Sequence, residues 1–498
     1  MTTSRPTAAR PRRQQRVVVI GGGLAGITAA IALSEAGAAV TLLEARPRLG
    51  GATTSFNRGA LVVDTGQHVF LRCCTAYQGL LARLGMSGSV RIQDRFDVTV
   101  LTPDGPARLR RNRLPGPLHL GASLARFSLL SLAERARVGQ AALAMRFLDP
   151  DDPALDRQRL GDWLAAHGQD ERTRRVLWDL FTVASLNVPG DDASLALAAT
   201  VVKTGLLGKN DAADIGVPLA PLGELHGTAG LALLKRLGAE VRLGVKAAGV
   251  ELAGPDGDGG RYVIRLARGE EDAGGGDGAE LAQFRRGVLR ADGVVVAVPP
   301  YVASRLVPDS AGAAAATWPE LGTSPIINVH VIYDRKVMDL PFAAAVDSPV
   351  QWVFDRTAIS GYGRSNRGQY LAISLSAAEP YVDVPAAKLR EMFVPALAGL
   401  LPRAQDARVS EFFVTRERRA TFRQEPGCGR LRPRAATALP GLTLAGAWTD
   451  TGWPDTMEGA VRSGLNAAVE LRRGLGAAGG QESQAAGEPA GVTQGVAP

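Results

Sequence analysis

The sequence predicts an α/β fold, a dinucleotide-binding domain of the Rossmann type interleaved with a mixed sheet-and-helix substrate domain. Three stretches predict it. In RVVVIGGGLAGITAAIALSEAGAAVTLLE (Arg16–Glu44), an apolar run ends on a glycine cluster, an alanine-rich stretch follows, and a second apolar run ends on an acid. That is the strand–turn–helix–strand rhythm of a parallel sheet. GLTLAGAWTDTGWPDTMEGAVRSGLNAA (Gly441–Ala468) reads as a strand, a loop and a helix starting near Met457. Between them, ADGVVVAVPP (Ala291–Pro300) reads as another buried strand, closed by two prolines.

Taken in order, Arg16 to Ile20 form a buried strand. Gly21, Gly23 and Gly26 fill the GxGxxG spacing. Gly21 permits the tight turn, Gly23 lets backbone approach a pyrophosphate, and Gly26 removes a side chain where helix meets strand. The helix that opens at Leu24 and Ala25 points its free N–H groups at the phosphates and stops at Gly37. Glu44 ends the second strand 18 residues after Gly26, where a carboxylate accepts the ribose hydroxyls of an adenosine. Further on, GAEVRLGVKAAGVEL and RYVIRLARG alternate like antiparallel strands, with surface loops at Gly254–Gly260 and Gly269–Gly278. PGPLHLGASLARFSLLSLAERARVGQAALAMRF (Pro115–Phe147) carries apolar residues at helical spacing with arginines between them. It suits a helix lying on a membrane surface, and equally a core-packed helix with a solvated arginine face.

These blocks divide the chain into a disordered basic arm (1–15), three nucleotide-binding parts (16–72, 205–300 and 425–472), two substrate-domain parts (73–204 and 301–424) and a low-complexity tail expected to be disordered (473–498).

The stretch EARPRLGG (Glu44–Gly51) resembles the ExxxRxGG extension of the amine oxidase and phytoene desaturase flavoprotein superfamily. The resemblance implies FAD, gripped by Glu44, Ala45, Arg46, Arg48, Gly50, Gly51 and Ala52. An arginine beside two phosphates, with glycines admitting the backbone, fits that cofactor. The Gly441–Ala468 stretch resembles the superfamily's second flavin motif, which implies contacts from Gly446, Met457, Glu458 and Ala460. A helix N-terminus there stabilises negative charge on reduced flavin. The chain departs from the pattern at Ala447, where many relatives carry an acid, and Asp450 stands close enough in sequence to replace it.

DTGQHVFLRCCTAY (Asp64–Tyr77) and FTVASLNVPGDDASLALAATV (Phe181–Val201) resemble the squalene-associated branch, the hydroxysqualene dehydroxylases, and the likeness spans about residues 16–472. Membership implies FAD-dependent reductive removal of the allylic hydroxyl of hydroxysqualene to give squalene, in hopanoid or triterpene biosynthesis. Hydride would pass from reduced flavin N5 to an allylic cation, in a dry apolar channel. His68, Gln67 and Asp64 are the candidates for the polar end. His68 suits proton transfer to the leaving hydroxyl, or else it hydrogen-bonds backbone or flavin structurally. Asp64 reads equally as a turn or capping residue. The other histidines (His119, His167, His226, His330) are isolated and read as structural; Trp448 and Trp453 suit a flavin wall or plain packing. No second GxGxxG with its own strand and acid is present, so the electrons must come from an external donor. A carotenoid-type desaturase shares the motifs; an amine oxidase and a flavin-free prenyl-binding protein are more distant rivals.

Composition sets the outer limits. The 498 residues are 46% hydrophobic and 21% charged, an ordinary globular balance with no run long enough to span a bilayer. The net charge of +8 comes without a finger, helix-turn-helix or aromatic-studded basic sheet, so nucleic acid is not an expected partner. A solvated arginine-rich surface accounts for it, as does a basic face drawn to anionic lipid. Cys73, Cys74 and Cys428 read as reduced thiols, and no metal site is expected. The expected location is cytoplasmic, with a peripheral contact on the inner face of the membrane.

Overall fold

The computed structural model describes residues 14–254, 260–267, 287–364 and 368–485. Nearly all of the basic arm, most of both glycine-rich loops and the end of the tail lie outside the described residues.

β1 (Arg16–Ile20) buries Val17 to Ile20, because both faces of a central parallel strand are covered. α1 (Leu24–Glu35) leaves it through the glycine turn and returns the chain to β2 (Ala39–Glu44). The parallel sheet runs Glu240–Leu243, β2, β1, Gly293–Val296, Leu442–Leu444. Five strands from distant parts of the chain thus stand side by side, and their carboxyl ends gather at one edge, where such sheets bind ligands. The C-terminal helix Met457–Ala485 crosses α1 closely, since Gly464 sits against the Ala25 carbonyl and Thr28, where a Cβ would collide.

The second large sheet has seven strands, in the order Val409–Thr421, Ser324–Tyr333, Gln369–Leu375, Trp352–Asp355, Phe342–Ala345, Asp97–Leu101 and Ala107–Arg110. All its pairs are antiparallel except Phe342–Ala345 with Asp97–Leu101. One face packs Val329, Val331 and Ile373 on Leu389, Phe393 and Leu397 of the helix Ala386–Leu400. The opposite side helps to wall a cavity described below.

Three expectations need correction. Glu240–Leu243 pairs parallel with β2 rather than forming an antiparallel hairpin; as an edge strand with one solvated face it alternates in sequence all the same. Ala247–Leu252 and Tyr262–Leu266 do pair antiparallel. Pro115–Phe147 is not one helix: a short turn at Leu118–Leu120 and the helix Gly121–Ala125 precede a separate helix, Leu132–Arg146. A capping box starts the latter, Ser131 Oγ accepting from Glu134 N while Glu134 accepts from Ser131 N. The tail does not lose order at 473, because the C-terminal helix continues to Ala485, with Leu471 and Leu475 buried over the nucleotide sheet.

Candidate active site

The glycine turn builds the first wall. Gly21 takes φ +110°, a backbone region that favours glycine, and a Cβ at Gly26 would run into the Gly21 carbonyl. Gly23 caps α1 without any side-chain hydrogen bond, and no acid stands in the first turn. The amides of Leu24, Ala25 and Gly26 therefore form a helix N-terminus suited to an anion. The Gly50–Gly51 loop folds onto this turn: Gly50 N donates to Gly22 O at 2.8 Å, and a Cβ on Gly51 would come within 2.9 Å of Gly23 Cα.

Glu44 is held ready at the end of β2. Its Oε2 accepts from Gly22 N at 2.7 Å and its Oε1 from Arg46 N at 2.8 Å, with the residue 9% exposed. Arg46 reaches back to Gly51 O at 3.4 Å. Ala45 and Ala52 are exposed beside it, and Arg48, also exposed, has no ion pair among the described residues. The donor set of a bare helix N-terminus, an oriented carboxylate and an uncommitted arginine fits an adenine dinucleotide. Thr54 Oγ1, buried beside Gly50 without a hydrogen-bond partner, adds an orphaned polar atom to the same cradle.

The C-terminal segment reaches this corner through the crossing of Gly464 on α1. Gly446 adopts φ +139° and donates its N–H to Ser463 Oγ at 2.8 Å, which fixes the loop ahead of Met457. Met457 is buried and Ala460 half-buried at the start of the helix. Glu458 also has carboxylate partners within the protein. Its carboxylate accepts from Ala76 N and Tyr77 N at 3.1 and 2.8 Å and from Arg462 Nε at 2.8 Å. It thereby caps α2 (Thr75–Leu84) from outside, with its side chain fully buried. Asp450 is exposed and accepts from Gly452 N at 3.4 Å, closing its own turn. Trp448 is packed against Trp318 and donates Nε1–H to Val298 O at 2.9 Å, while Arg462 lies over the Trp453 ring.

A cavity of about 530 Å³ opens at Gln67 and His68. Val69, Val217, Leu219, Pro341, Phe354 and Ile359 give it apolar walls, and Gln67, His68, Arg91, Asp355 and Arg356 stand in its polar part. The ring of His68 packs on Gly66, and its Nδ1 has no hydrogen-bond partner; nor has Gln67 Oε1. Burial pushes the His68 imidazole below its ordinary value, while Asp64 and Arg356 pull in opposite directions. The ring is neutral at pH 7 in this environment.

Asp64 does not share that freedom. Its Oδ1 accepts from Ser55 Oγ at 2.6 Å and Leu222 N at 3.0 Å, and its Oδ2 is paired with the guanidinium of Arg356. Both partners are buried. Three donors thus hold the carboxylate, so Asp64 is a clamp between the Ser55–Asp64 hairpin, the segment at Leu222 and the seven-stranded sheet. The bonds from Ser55 Oγ and Leu222 N are of the turn or capping kind that the sequence also offered for Asp64.

Arg356 and Ser55 had no signal in the sequence, because Arg356 lies 292 residues from its partner. His226 is a further residue whose surroundings were not foreseen. It bonds Tyr77 OH at 2.8 Å and Thr53 O at 3.2 Å, and burial lowers its pKa to about 4. His330 bonds Tyr370 OH at 2.8 Å and Thr415 Oγ1 at 3.0 Å, and His167 bonds Trp163 O. His119 is buried with neither ring nitrogen bonded.

The model of the family "flavin containing amine oxidoreductase" matches residues 24–472. A hydroxysqualene dehydroxylase of Zymomonas mobilis is 26% identical over 90% of the chain and 97% of its own length. One of Rhodopseudomonas palustris is 29% identical over 91% and 97%. A 15-cis-phytoene desaturase of Narcissus pseudonarcissus is 25% identical over 93% of the chain and 80% of its own. Among solved structures, a putrescine oxidase bound to putrescine superposes with a TM-score of 0.65 at 18% identity, covering 92% of the chain and 99% of that protein. That last likeness speaks to the fold alone.

Proposed function

The chain belongs to the flavin containing amine oxidoreductases and is an FAD-dependent oxidoreductase, and we propose that it removes the allylic hydroxyl of hydroxysqualene reductively to give squalene. The observation that carries this reading is a largely apolar cavity with His68, Gln67 and Arg356 among its lining residues. Relatives named hydroxysqualene dehydroxylases support the substrate class.

In this reaction the carbon–oxygen bond breaks, the oxygen leaves as water after taking one proton, and the allylic carbon takes a hydride. FAD, when bound and reduced, supplies that hydride. The side chains do the rest. Arg356, held in place by Asp64, donates a hydrogen bond to the departing oxygen. Burial disfavours the imidazolium form of His68, with a smaller push from Arg356, so His68 holds a proton only loosely and gives it up readily at the oxygen. Gln67 offers a free carbonyl oxygen to the substrate hydroxyl and orients it. Val217, Leu219 and Phe354 exclude the water that would recapture the allylic cation. Reducing equivalents come from an external donor.

The test is anaerobic incubation of holoenzyme with hydroxysqualene, in the dithionite-reduced and the oxidised state, followed by product analysis. Squalene formed by the reduced enzyme alone is the expected result. No squalene from reduced enzyme, with new double bonds placed in a phytoene-type polyene by the oxidised form, would assign the chain to desaturation instead.

A further inference from the structure

A second cavity, about 740 Å³, opens away from the residues described so far. Arg113, Arg146, Lys203 and Lys209 line it, with Asp211 as its one carboxylate. Among the described residues Arg113, Arg146 and Lys209 make no ion pair, and Lys203 is bonded to the Leu148 carbonyl, which leaves its charge unneutralised. Asp211 is drawn towards Arg72, 3.8 Å away. Four cations thus face a single, already shared anion. Side chains so arranged repel one another unless an anion sits among them.

The flanks are equally unusual. Leu114 is 50% exposed, Leu143 53% and Phe147 80%. Leu114 is next to Arg113, and Phe147 is next to Arg146, so the apolar tips follow directly on the cations in the chain. Leu143 and Phe147 are four residues apart, on one side of the helix Leu132–Arg146 and its C-cap, while Val138, Ala141 and Met145 take its buried side. Of the large apolar side chains exposed among the described residues, half lie between Leu114 and Phe147. This combination of bare cations and protruding apolar tips matches the two layers of a bilayer surface, head-group phosphates outside and acyl chains beneath. A nucleic-acid backbone would satisfy the cations but offers no apolar layer to Leu114, Leu143 and Phe147.

We propose that this face docks on a bilayer bearing anionic head groups. The cavity takes a head-group phosphate, and Leu114, Leu143 and Phe147 enter the acyl boundary. No helix among the described residues is long and apolar enough to cross a membrane, so the contact is with one leaflet. The inference does not need the dehydroxylation reading, because vesicle binding is measured without turnover.

The experiment is co-sedimentation of the FAD-loaded full chain with phosphatidylcholine vesicles, with and without phosphatidylglycerol. Binding to the anionic vesicles is expected, with little to pure phosphatidylcholine. Arg113→Glu/Arg146→Glu should weaken it at least about tenfold, and Leu143→Ser/Phe147→Ser should weaken it too, both variants keeping their flavin absorbance. Equal binding to both vesicle types, binding to neither, or unchanged binding by the charge-reversed variant would overturn the proposal. So would anionic-vesicle binding that inorganic phosphate abolishes at constant ionic strength, since the cavity would then serve a soluble anion.

Discussion

Replacing Asp64 with asparagine tests whether this carboxylate is a clamp or a catalyst. Asparagine keeps an oxygen for Ser55 Oγ and Leu222 N, so the loss is confined to the pair with Arg356. The two side chains are 2% and 9% exposed, which strands the guanidinium in a poorly solvated place. Removing one member of such a pair costs about 3–5 kcal/mol, and the retained oxygen places Asp64→Asn near the lower end. Arg356→Met should cost a similar amount, by leaving the carboxylate buried with only neutral donors. The double variant has no stranded charge, so its cost should fall below the sum by roughly 2 kcal/mol. Urea unfolding of holoenzyme followed by tryptophan fluorescence reads all three. Additive single losses would refute the coupling. An Asp64→Asn protein as stable as wild type but with turnover down a hundredfold or more would return Asp64 to the chemistry.

Three more outcomes follow from the same geometry. Gly26→Ala places a Cβ on the Gly21 carbonyl, so the purified variant should lose its flavin absorbance; full retention would show that the turn relaxes at no cost to the cradle. If His68 gives the proton, kcat/KM of the reduced enzyme should rise as pH falls, with the inflection below 6.5, because burial lowers its pKa. His68→Gln should flatten that limb and slow turnover by about 10²–10⁴, and an unaltered profile would remove the ring from the reaction. His330 is buried and neutral, its pKa lowered to about 3. The unfolded chain takes up that proton near pH 6.5 and the folded one does not, so this histidine's contribution to stability is present above pH 6.5 and is lost as pH falls. From pH 7 to 5 the loss is about 2 kcal/mol, and the stability of His330→Gln should vary less with pH by that amount in urea titrations.

How far the sequence discloses this molecule depends on the distance between residues that cooperate. The glycine turn, α1 and Glu44 are consecutive, so backbone geometry alone fixes their meaning: Gly26 must be glycine because Gly21 lies five residues back and its carbonyl occupies the space. Similarly, the Gly50–Gly51 pair follows β2 closely enough for its docking on Gly22 and Gly23 to be anticipated. Glu458 shows where the same logic stops. A flavin-type motif surrounds it, yet the partners that claim its carboxylate are the first amides of α2, 381 and 382 residues away. Nothing local announces them.

The substrate end is harder to read for the same reason. His68 was visible as a residue type in a suggestive motif, but its neutrality depends on burial by a sheet that the chain reaches only some 290 residues later, at Arg356. The cradle is thus written in contiguous covalent geometry, which tolerates almost no substitution and leaves a spacing pattern behind. The cavity is written in tertiary contacts, where an arginine from a different strand could have served Asp64 equally well and left no pattern at all. Such a division lets one cradle serve relatives named for a dehydroxylase and for a desaturase. The glycine cradle is sterically constrained at Gly21, Gly26, Gly50 and Gly51, while the cavity can be redrawn by changing side chains on strands far away in sequence. On the proposed reading, discrimination between those chemistries would rest on Gln67, His68 and Arg356, and exchanging them should alter the reaction before it alters flavin binding.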